Sequence, residues 1–554
     1  MASFWRVAAS SDSVRRAFVT TQGTTTQGTL AWPLTRALAT NPTGEAVVDG
    51  AVRLTYAQWG RRIHGLTAGL RNIGLRNGDV VATIAQNTYR HLECWVGIPA
   101  AGMVLNDLNY RLAVAELEFI VNDCAVSALV ADSAYLEVAR ELKSRCGCIE
   151  FLVFAGDGLA PEGWVHWDDL CAATPLDPTH PDLAALTSDT LAAISYTGGT
   201  TGLPKGVMQS HGNLLANAKH MLMSNPIRPQ DRFIHAAPMF HAADASSTFA
   251  FTFVGGAHIC IAGFEPDLFA RTVESERVTV SLIVPTMINM LVNHPSVRER
   301  DFSAWRLLMF GASPMPIEVL LKACEVLPCS FVQLYGMTEA APIVTSTQAD
   351  DNRRGAAGEE PYRARLASCG QPVPGVEVEV RRPDGTRCNT GEPGEVHVRG
   401  PNIMMGYWNR PEETAKALVG DGWYASGDVA WADDDGYLFI VDRAKDMIIS
   451  GGENIYTTEV ENAIFRYPAV LEVAVFGIPH ETFGEMVHAE VVTKAGATVT
   501  ADEIVATCRE QIAGYKVPRS VNVRSEALPK SGAGKILKRD LRAPYWQGKD
   551  KAVN

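Results

Sequence analysis

No stretch of this 554-residue sequence approaches the ~18 consecutive apolar residues of a membrane-crossing helix. The longest apolar runs, near 96–105 and 278–284, are short or broken, so no integral membrane span is expected. Cysteine is scarce. There are 11, none in C-x-x-C, and the nearest pair, Cys146-Gly147-Cys148, has no His or Cys beside it at zinc spacing. That argues against a disulfide framework or a zinc ribbon and favours reduced thiols in the cytoplasm. Basic residues are in deficit: 49 Lys and Arg against 62 Asp and Glu give a formal charge of −13. Such a chain lacks the dense positive surface of a general nucleic-acid binder. A secretory apolar core is missing from the N-terminus. Residues 1–30 do carry Arg6, Arg15 and Arg16 among many Ser and Thr, with Asp12 the only acid, a composition shared with organelle presequences. A frayed tail is the preferred reading. Two catalytic signatures are also missing, the Walker A phosphate loop and the G-x-S-x-G nucleophile elbow.

What is present is an ordinary globular composition, 47% hydrophobic and 20% charged. Length alone allows about three or four domains at roughly 150 residues each. From about 54 to 345, apolar strand-like runs (79–84, 127–131, 151–154, 192–196, 258–261, 278–284) alternate with helical spacing, as at 56–72 and 113–123. Continuous Val/Ile/Leu strands between amphipathic helices predict parallel sheets covered on both faces. After about 365 the period becomes two, at 376–382 and 394–399, with Pro383-Asp384-Gly385 as turn, and a hairpin-like segment follows at 433–441. This predicts a small antiparallel, barrel-like unit. Beyond Arg443 the pattern reads as a compact α+β unit of about 100 residues, within the range of an independent domain. The fold expected is α/β: a large N-terminal domain of two covered sheet lobes plus a barrel-like lobe at 1–441, a hinge at 442–446 and a small mobile domain at 447–554.

One segment stands out chemically. Residues 192–206 read A-A-I-S-Y-T-G-G-T-T-G-L-P-K-G, a strand running into a loop of glycines and threonines that ends on Lys205. Glycines let backbone N–H groups converge, and the hydroxyls and the ammonium add donors, which is what a polyphosphate requires. Alone, such a loop is as often a surface turn. Seven further motifs follow it in order: P-M-F-H (238–241), G-A-S-P-M-P (311–316), Q-L-Y-G-M-T-E (333–339), Y-A-S-G-D (424–428), D-R-A-K-D (442–446), S-G-G-E-N (450–454) and P-K-S-G-A-G-K-I-L-K-R (529–539).

Together these resemble the adenylate-forming superfamily of acyl- and aryl-CoA synthetases, luciferases and peptide-synthetase adenylation domains, over about residues 30–545. The resemblance implies ATP and CoA as co-substrates and Mg2+ as cofactor. It implies that Thr197, Gly198, Gly199, Thr200, Thr201, Gly202 and Lys205 grip the ATP phosphates. Gly311, Ala312 and Ser313, with Gln333 and Tyr335, would frame the adenine, and Gly336, Met337 and Ile440 would complete the nucleotide site. Thr338 would touch the α-phosphate, Glu339 would hold the metal, and Asp428 and Arg443 would hold the ribose. Lys535 would bridge substrate carboxylate and α-phosphate, and Asn454 would reach the nucleotide from the small domain. Lys445 falls at the hinge, and Ser450, Gly451 and Gly452 at the pantetheine path. Read singly, several are ordinary: an Asp after glycine is commonly a turn residue, and His241 beside Phe240 can simply pack against the pocket wall.

The reaction so implied has two halves. A carboxylate attacks the α-phosphate and expels pyrophosphate; a thiol then attacks the acyl-AMP and expels AMP. In the first half two like charges at ~4 Å repel by about 4 kcal/mol at an effective dielectric of ~20. The metal, Lys535 and the loop donors would offset that repulsion. The region 78–123 is most similar to bacterial medium- and long-chain fatty acyl-CoA synthetases, so a fatty acid is the expected substrate. Where those enzymes commonly place a Trp after P-M-F-H, this chain has Ala245, which keeps aryl and short or branched acids open. His241, Ala245, Gly336, Met337, Ala341 and Pro342 would line the acyl pocket. Free CoA is the expected acceptor, since no carrier segment follows the small domain. A homodimer, and an acyl-adenylate-binding protein without turnover, stay open. The basic minority is concentrated at the end of the chain. From Lys516 to Asn554 ten Lys and Arg stand against three acids, suited to meeting ATP and CoA phosphates.

Overall fold

The computed structural model describes residues 27–197, 204–443, 446–450, 453–531 and 535–547, and of Arg443 the backbone only. The presequence-like residues 1–26 lie outside it, as do Gly198, Gly199, Thr200, Thr201, Gly202, Lys445, Gly451 and Gly452.

Among the described residues the chain forms four sheets. The largest has nine strands. Its centre is parallel, with Leu307–Gly311 between Val280–Ile283 and Ser330–Gly336. Its edges run antiparallel: Ile343–Ser346 folds back on 330–336, and Val52–Thr55 pairs with Glu45–Asp49. The second sheet, of eight strands, is built likewise. Val80–Ile84 lies at its parallel centre, and Leu191–Thr197 and Lys205–Ser210 form an antiparallel pair at one side. Strands such as 80–84 and 307–311 are buried at every position, because helices cover both faces. The strand-and-helix alternation thus gives the layered α/β fold expected. The antiparallel edges were not expected, and they arise where the chain returns through short loops with no crossover helix.

The third sheet is antiparallel. Glu377–Arg381, Gly394–Arg399 and Trp423–Ala432 run side by side, and both Leu418–Val419 and Leu438–Arg443 pair with 423–432. The main apolar core runs from Leu30 to Leu438 and joins this sheet to the other two. The fourth sheet lies after the segment around residue 445 and has its own core, in which Ile448, Val460, Ile464, Val475, Val491 and Ile504 meet. There Val470–His480 pairs antiparallel with Gly484–Thr493, and Ser520–Arg524 adds in parallel.

Three local features place the site. Parallel strands 307–311 and 330–336 end on the same side of their sheet, and ligands of open α/β sheets bind at such carboxyl ends. Gly311 and Gly336 allow the chain to pack tightly there. A Cβ on Gly336 would lie 1.8 Å from the carbonyl oxygen of Pro342, and one on Gly311 2.2 Å from that of Leu334. The helix Ala242–Val254 begins at His241, whose Nδ1 accepts the N–H of Ala243, and ends at Gly255 in the left-handed conformation.

Candidate active site

Of the phosphate-loop candidates, Thr197 and Lys205 are described: they pair at the end of strand 191–197 and the start of strand 205–210. Lys205 lies over the ring of Tyr407, its Nζ 5.1 Å from the centroid. The hydroxyl of Tyr407 donates to Oε1 of Glu339 at 2.9 Å. Burial, with the Glu339 carboxylate and Tyr407 beside it, pushes the Tyr424 phenol well up. Burial and Glu339 do the same to Tyr407. Both phenols stay protonated beside that carboxylate, and Tyr407 donates to it. Glu339 and Thr338 occupy a short turn pinned from two sides. Gln209 donates through Nε2 to the Thr338 carbonyl at 2.9 Å, and the Met404 N–H donates to the Glu339 carbonyl at 2.8 Å.

The strand ends at 311 and 336 bring Gly311, Ala312, Ser313, Gln333, Tyr335, Gly336 and Met337 together. Ala312 and Ala341 take positive φ, 69° and 59°, a conformation alanine rarely adopts and one concentrated at functional turns. Tyr335 donates to Oδ2 of Asp428 at 2.8 Å, which ties the nine-stranded sheet to the antiparallel one. Asp428 pairs in backbone register with Arg443, and Ala430 with Ile440, so three of the expected nucleotide residues share one strand pair. Pro342 lies in the return from this turn, where its carbonyl accepts the Met337 N–H. Ala245 is buried in the helix that His241 starts.

Lys535 precedes the last helix, held by reciprocal backbone and side-chain bonds to Ser531. Its ammonium acts on His241: burial, with the added positive charge of Lys535, pushes the His241 imidazole down to about 3. His241 is therefore neutral, and the charge of the C-terminal unit's Lys535 reaches it. Ser450 and Asn454 lie in the hairpin 448–455, where Asn454 pairs with Ile449 and is exposed. Among the described residues no hydrogen bond joins Asn454 to Tyr335 or Asp428.

The chain matches the AMP-binding enzyme family over residues 34–408 and the AMP-binding enzyme C-terminal domain over residues 459–535. It belongs to the AMP-binding enzyme family. A feruloyl-CoA synthase of Amycolatopsis sp is 40% identical over 526 residues, 94% of this chain and 99% of that one. The long-chain-fatty-acid–CoA ligase FadD13 of Mycobacterium tuberculosis is 32% identical, over 93% of this chain and 98% of its own. The crystal structure of ATP-bound MatB from Rhodopseudomonas palustris superposes with a TM-score of 0.81 at 29% identity, covering 93% of this chain and 99% of that one. This AMP-binding enzyme is an acid–thiol ligase, and adenylate-forming CoA ligases use ATP, CoA and Mg2+. Among the described residues no helix is long and apolar enough to cross a membrane.

The site fits magnesium. Among the described residues no cluster of three or more His, Cys, Asp or Glu could cage an ion by itself. Magnesium usually takes one or two carboxylates plus substrate phosphates, and Glu339 is a hard oxygen donor beside the hairpin that ends on Lys205. Tyr407, Tyr424 and Gln209 were not among the residues singled out from sequence, although Tyr424 lies inside the Y-A-S-G-D motif. Tyr407 and Gln209 reach Glu339 and Thr338 only through tertiary pairing, at separations of 68 and 129 residues.

Proposed function

We propose that this AMP-binding enzyme adenylates a compact aryl or arylalkanoic acid and transfers the acyl group to CoA. The observation that carries the substrate class is the 40% identity, over 94% of this chain, to a chain named feruloyl-CoA synthase. Asp244, Ser247 and Thr248 are fully buried within two turns of His241. Asp244 Oδ2, Ser247 Oγ and Thr248 Oγ1 have no hydrogen-bond partner among the described residues. Leaving such groups unpaired costs about 1–3 kcal/mol each. Asp244 Oδ1 is taken by His235 Nδ1 at 2.5 Å, and ordered water would serve the remaining atoms. A medium- or long-chain fatty acid is the second reading, favoured by the 32% identity to FadD13.

In the reaction, the acid binds between His241 and the 336–342 turn, where the neutral imidazole adds no charge to the carboxylate's surroundings. Lys535 reaches the carboxylate and the α-phosphate and screens their repulsion. Thr338 contacts the α-phosphate, and Asp428, held by Tyr335, accepts the ribose hydroxyls with Arg443 beside it. Residues 197–205 hold the outer phosphates, and magnesium bound at Glu339 would neutralise phosphate charge. With pyrophosphate gone, the small domain turns about Lys445. Lys535 withdraws, and the 450–452 segment enters so that the CoA thiol reaches the carbonyl carbon. A protein that binds acyl-AMP without turnover has no need of Glu339 and Lys535 together in one site.

The test is pyrophosphate release with and without CoA for ferulate, 4-coumarate, benzoate, octanoate and palmitate. Expected is the highest kcat/KM on an aryl acid, with thioester formed when CoA is present. Palmitate outperforming every aryl acid by tenfold would install the fatty-acid reading. Release without thioester would point to another acceptor, and no release with any acid would point to a binding protein.

A further inference from the structure

A set of contacts at the start of the small domain connects the body of the enzyme to the lysine-bearing segment. Asp442 stands in the strand Leu438–Arg443, one residue before Arg443 and therefore on the body's side of residue 445. It is 5% exposed, and its Oδ2 accepts the backbone N–H of Thr457 at 2.6 Å. Thr457 is the first residue of the helix Thr457–Phe465, whose preceding residue Tyr456 supplies no side-chain cap. The Asp442 carboxylate thus takes the place of a local cap from across the connecting segment, where a helix N-terminus favours negative charge. The next residue adds a second tie, since Thr458 Oγ1 donates to the carbonyl of Val441.

The same threonine is linked onward. Lys538 donates through Nζ to Thr457 Oγ1 at 2.7 Å and pairs with Glu461 Oε1 at 2.7 Å. Glu461 Oε1 in turn accepts the N–H of Val475. Burial opposes the charge on Lys538, and the carboxylates of Glu461, Asp442 and Asp446 overcome it, so the ammonium stays protonated. Lys538 is three residues beyond Lys535 and opens the final helix Lys538–Trp546. A continuous run of bonds therefore leads from the strand paired with Asp428, through Asp442, Thr457 and Lys538, to the segment carrying Lys535.

Within that run, among the described residues, the ties made by Val441 and Asp442 join the two sides of residue 445; outside it Asn289 Nδ2 donates to the Leu471 carbonyl at 3.1 Å. Lys538, Glu461, Thr457 and Val475 all belong to the small domain and travel together in any rotation about that residue. Contacts between Asp442 and Thr457 and between Val441 and Thr458 cannot survive such a rotation.

We infer that Asp442 is a positioning residue for the adenylation half-reaction: its carboxylate latches the N-terminus of the helix 457–465 and so holds Lys535 beside His241, and release of this latch precedes thioester formation. The inference rests on the reading that the small domain reorients between the two half-reactions. No covalent step is involved. The latch opens when the N–H of Thr457 exchanges Asp442 for water.

The test compares the two half-reactions in Asp442→Ala. Acid-dependent pyrophosphate release should fall 10- to 100-fold in kcat with ATP KM changed less than threefold. Thioester formation from supplied acyl-AMP and CoA should stay within twofold of the parent or rise. Asp442→Asn, which keeps an acceptor oxygen, should restore part of the loss. Should Asp442→Ala fold poorly, Thr458→Val removes only the neighbouring tie and should show the same split in smaller measure. Loss of both halves in parallel, or selective loss of the thioester half, overturns the latch, as does adenylation within twofold of the parent. Failure of the underlying reading is separate, because then the unmodified enzyme yields pyrophosphate but no thioester, or neither.

Discussion

The phenol of Tyr335 donates to Oδ2 of Asp428 across 2.8 Å, joining the end of a parallel strand to the middle of an antiparallel one. Burial and the Asp428 carboxylate keep that phenol protonated, so the bond persists throughout the working pH range. A hydrogen bond to a charged acceptor is worth about 1.5–3 kcal/mol. Tyr335→Phe should therefore raise the KM for ATP by roughly tenfold or more, with kcat changed little, because the variant loosens ribose binding and leaves the reacting atoms alone. Initial rates of pyrophosphate release against ATP concentration read this directly. An unchanged KM would show that Asp428 is oriented without Tyr335.

Glu339 offers a second separable effect. Glu339→Gln keeps an acceptor for Tyr407 but removes the negative charge that would hold magnesium. The Mg2+ concentration for half-maximal adenylation should rise at least tenfold and kcat should fall by about 100-fold, in the range seen when one electrostatic contact to a developing charge is lost. Tyr407→Phe should shift the Mg2+ requirement by only a few-fold, since it aims the carboxylate without supplying its charge. Equal effects from the two variants would place the metal elsewhere.

These partners also show what was legible in the sequence and what was not. The parallel strands were visible because burial on both faces removes the apolar/polar alternation, as in Val-Val-Ala-Thr-Ile at 80–84. The helix Tyr56–Asn72 announced itself through its 3.6 period and is sealed by Thr55 and Gln58 in a reciprocal cap. Glu339, Asp428 and Lys535 stood within motifs, so their neighbours in sequence marked them. Tyr407 and Gln209 act from 68 and 129 residues away, and nothing in a local pattern encodes such a distance. The strand 205–210 was hidden for a related reason. It begins on Lys205-Gly206, which reads as a loop, and becomes a strand only by pairing with 191–197. Asp442 was legible as part of a hinge motif, but its bond to Thr457 depends on how the small domain docks.

In the proposed mechanism Lys535 serves adenylation and not thioester formation. Its positive charge helps to lower the His241 imidazole, and in the proposed adenylation half a carboxylate and a polyphosphate must be brought together. Lys535→Ala should lower acid-dependent pyrophosphate release by at least 100-fold while thioester formation from supplied acyl-AMP stays within a few-fold of the parent. Isolated half-reaction assays measure both. Equal loss in the two would remove the bridging role and make Lys535 a structural residue of the small domain.

Stability should depend on pH through buried histidines that the site does not use. His211 is fully buried; its Nδ1 accepts the N–H of Leu30 at 3.1 Å, and its Nε2 has no partner among the described residues. Burial pushes this imidazole down from 6.5 to about 4. Protonation in the folded state would set an N–H donor against the N–H of Leu30. In the unfolded chain His211 takes its proton near 6.5, so between that value and about 4 the unfolded state binds more protons and stability rises with pH. The contribution is complete above 6.5 and is lost on acidification, reaching about 3 kcal/mol by pH 4 at roughly 1.4 kcal/mol per pH unit. His211→Asn keeps an acceptor for Leu30 but cannot titrate. Urea midpoints measured from pH 7.5 to 4.5 should therefore fall less steeply in the variant, by close to one proton. Parallel curves would show that His211 titrates alike in the folded and unfolded chains, and that its burial exacts no proton-linked cost.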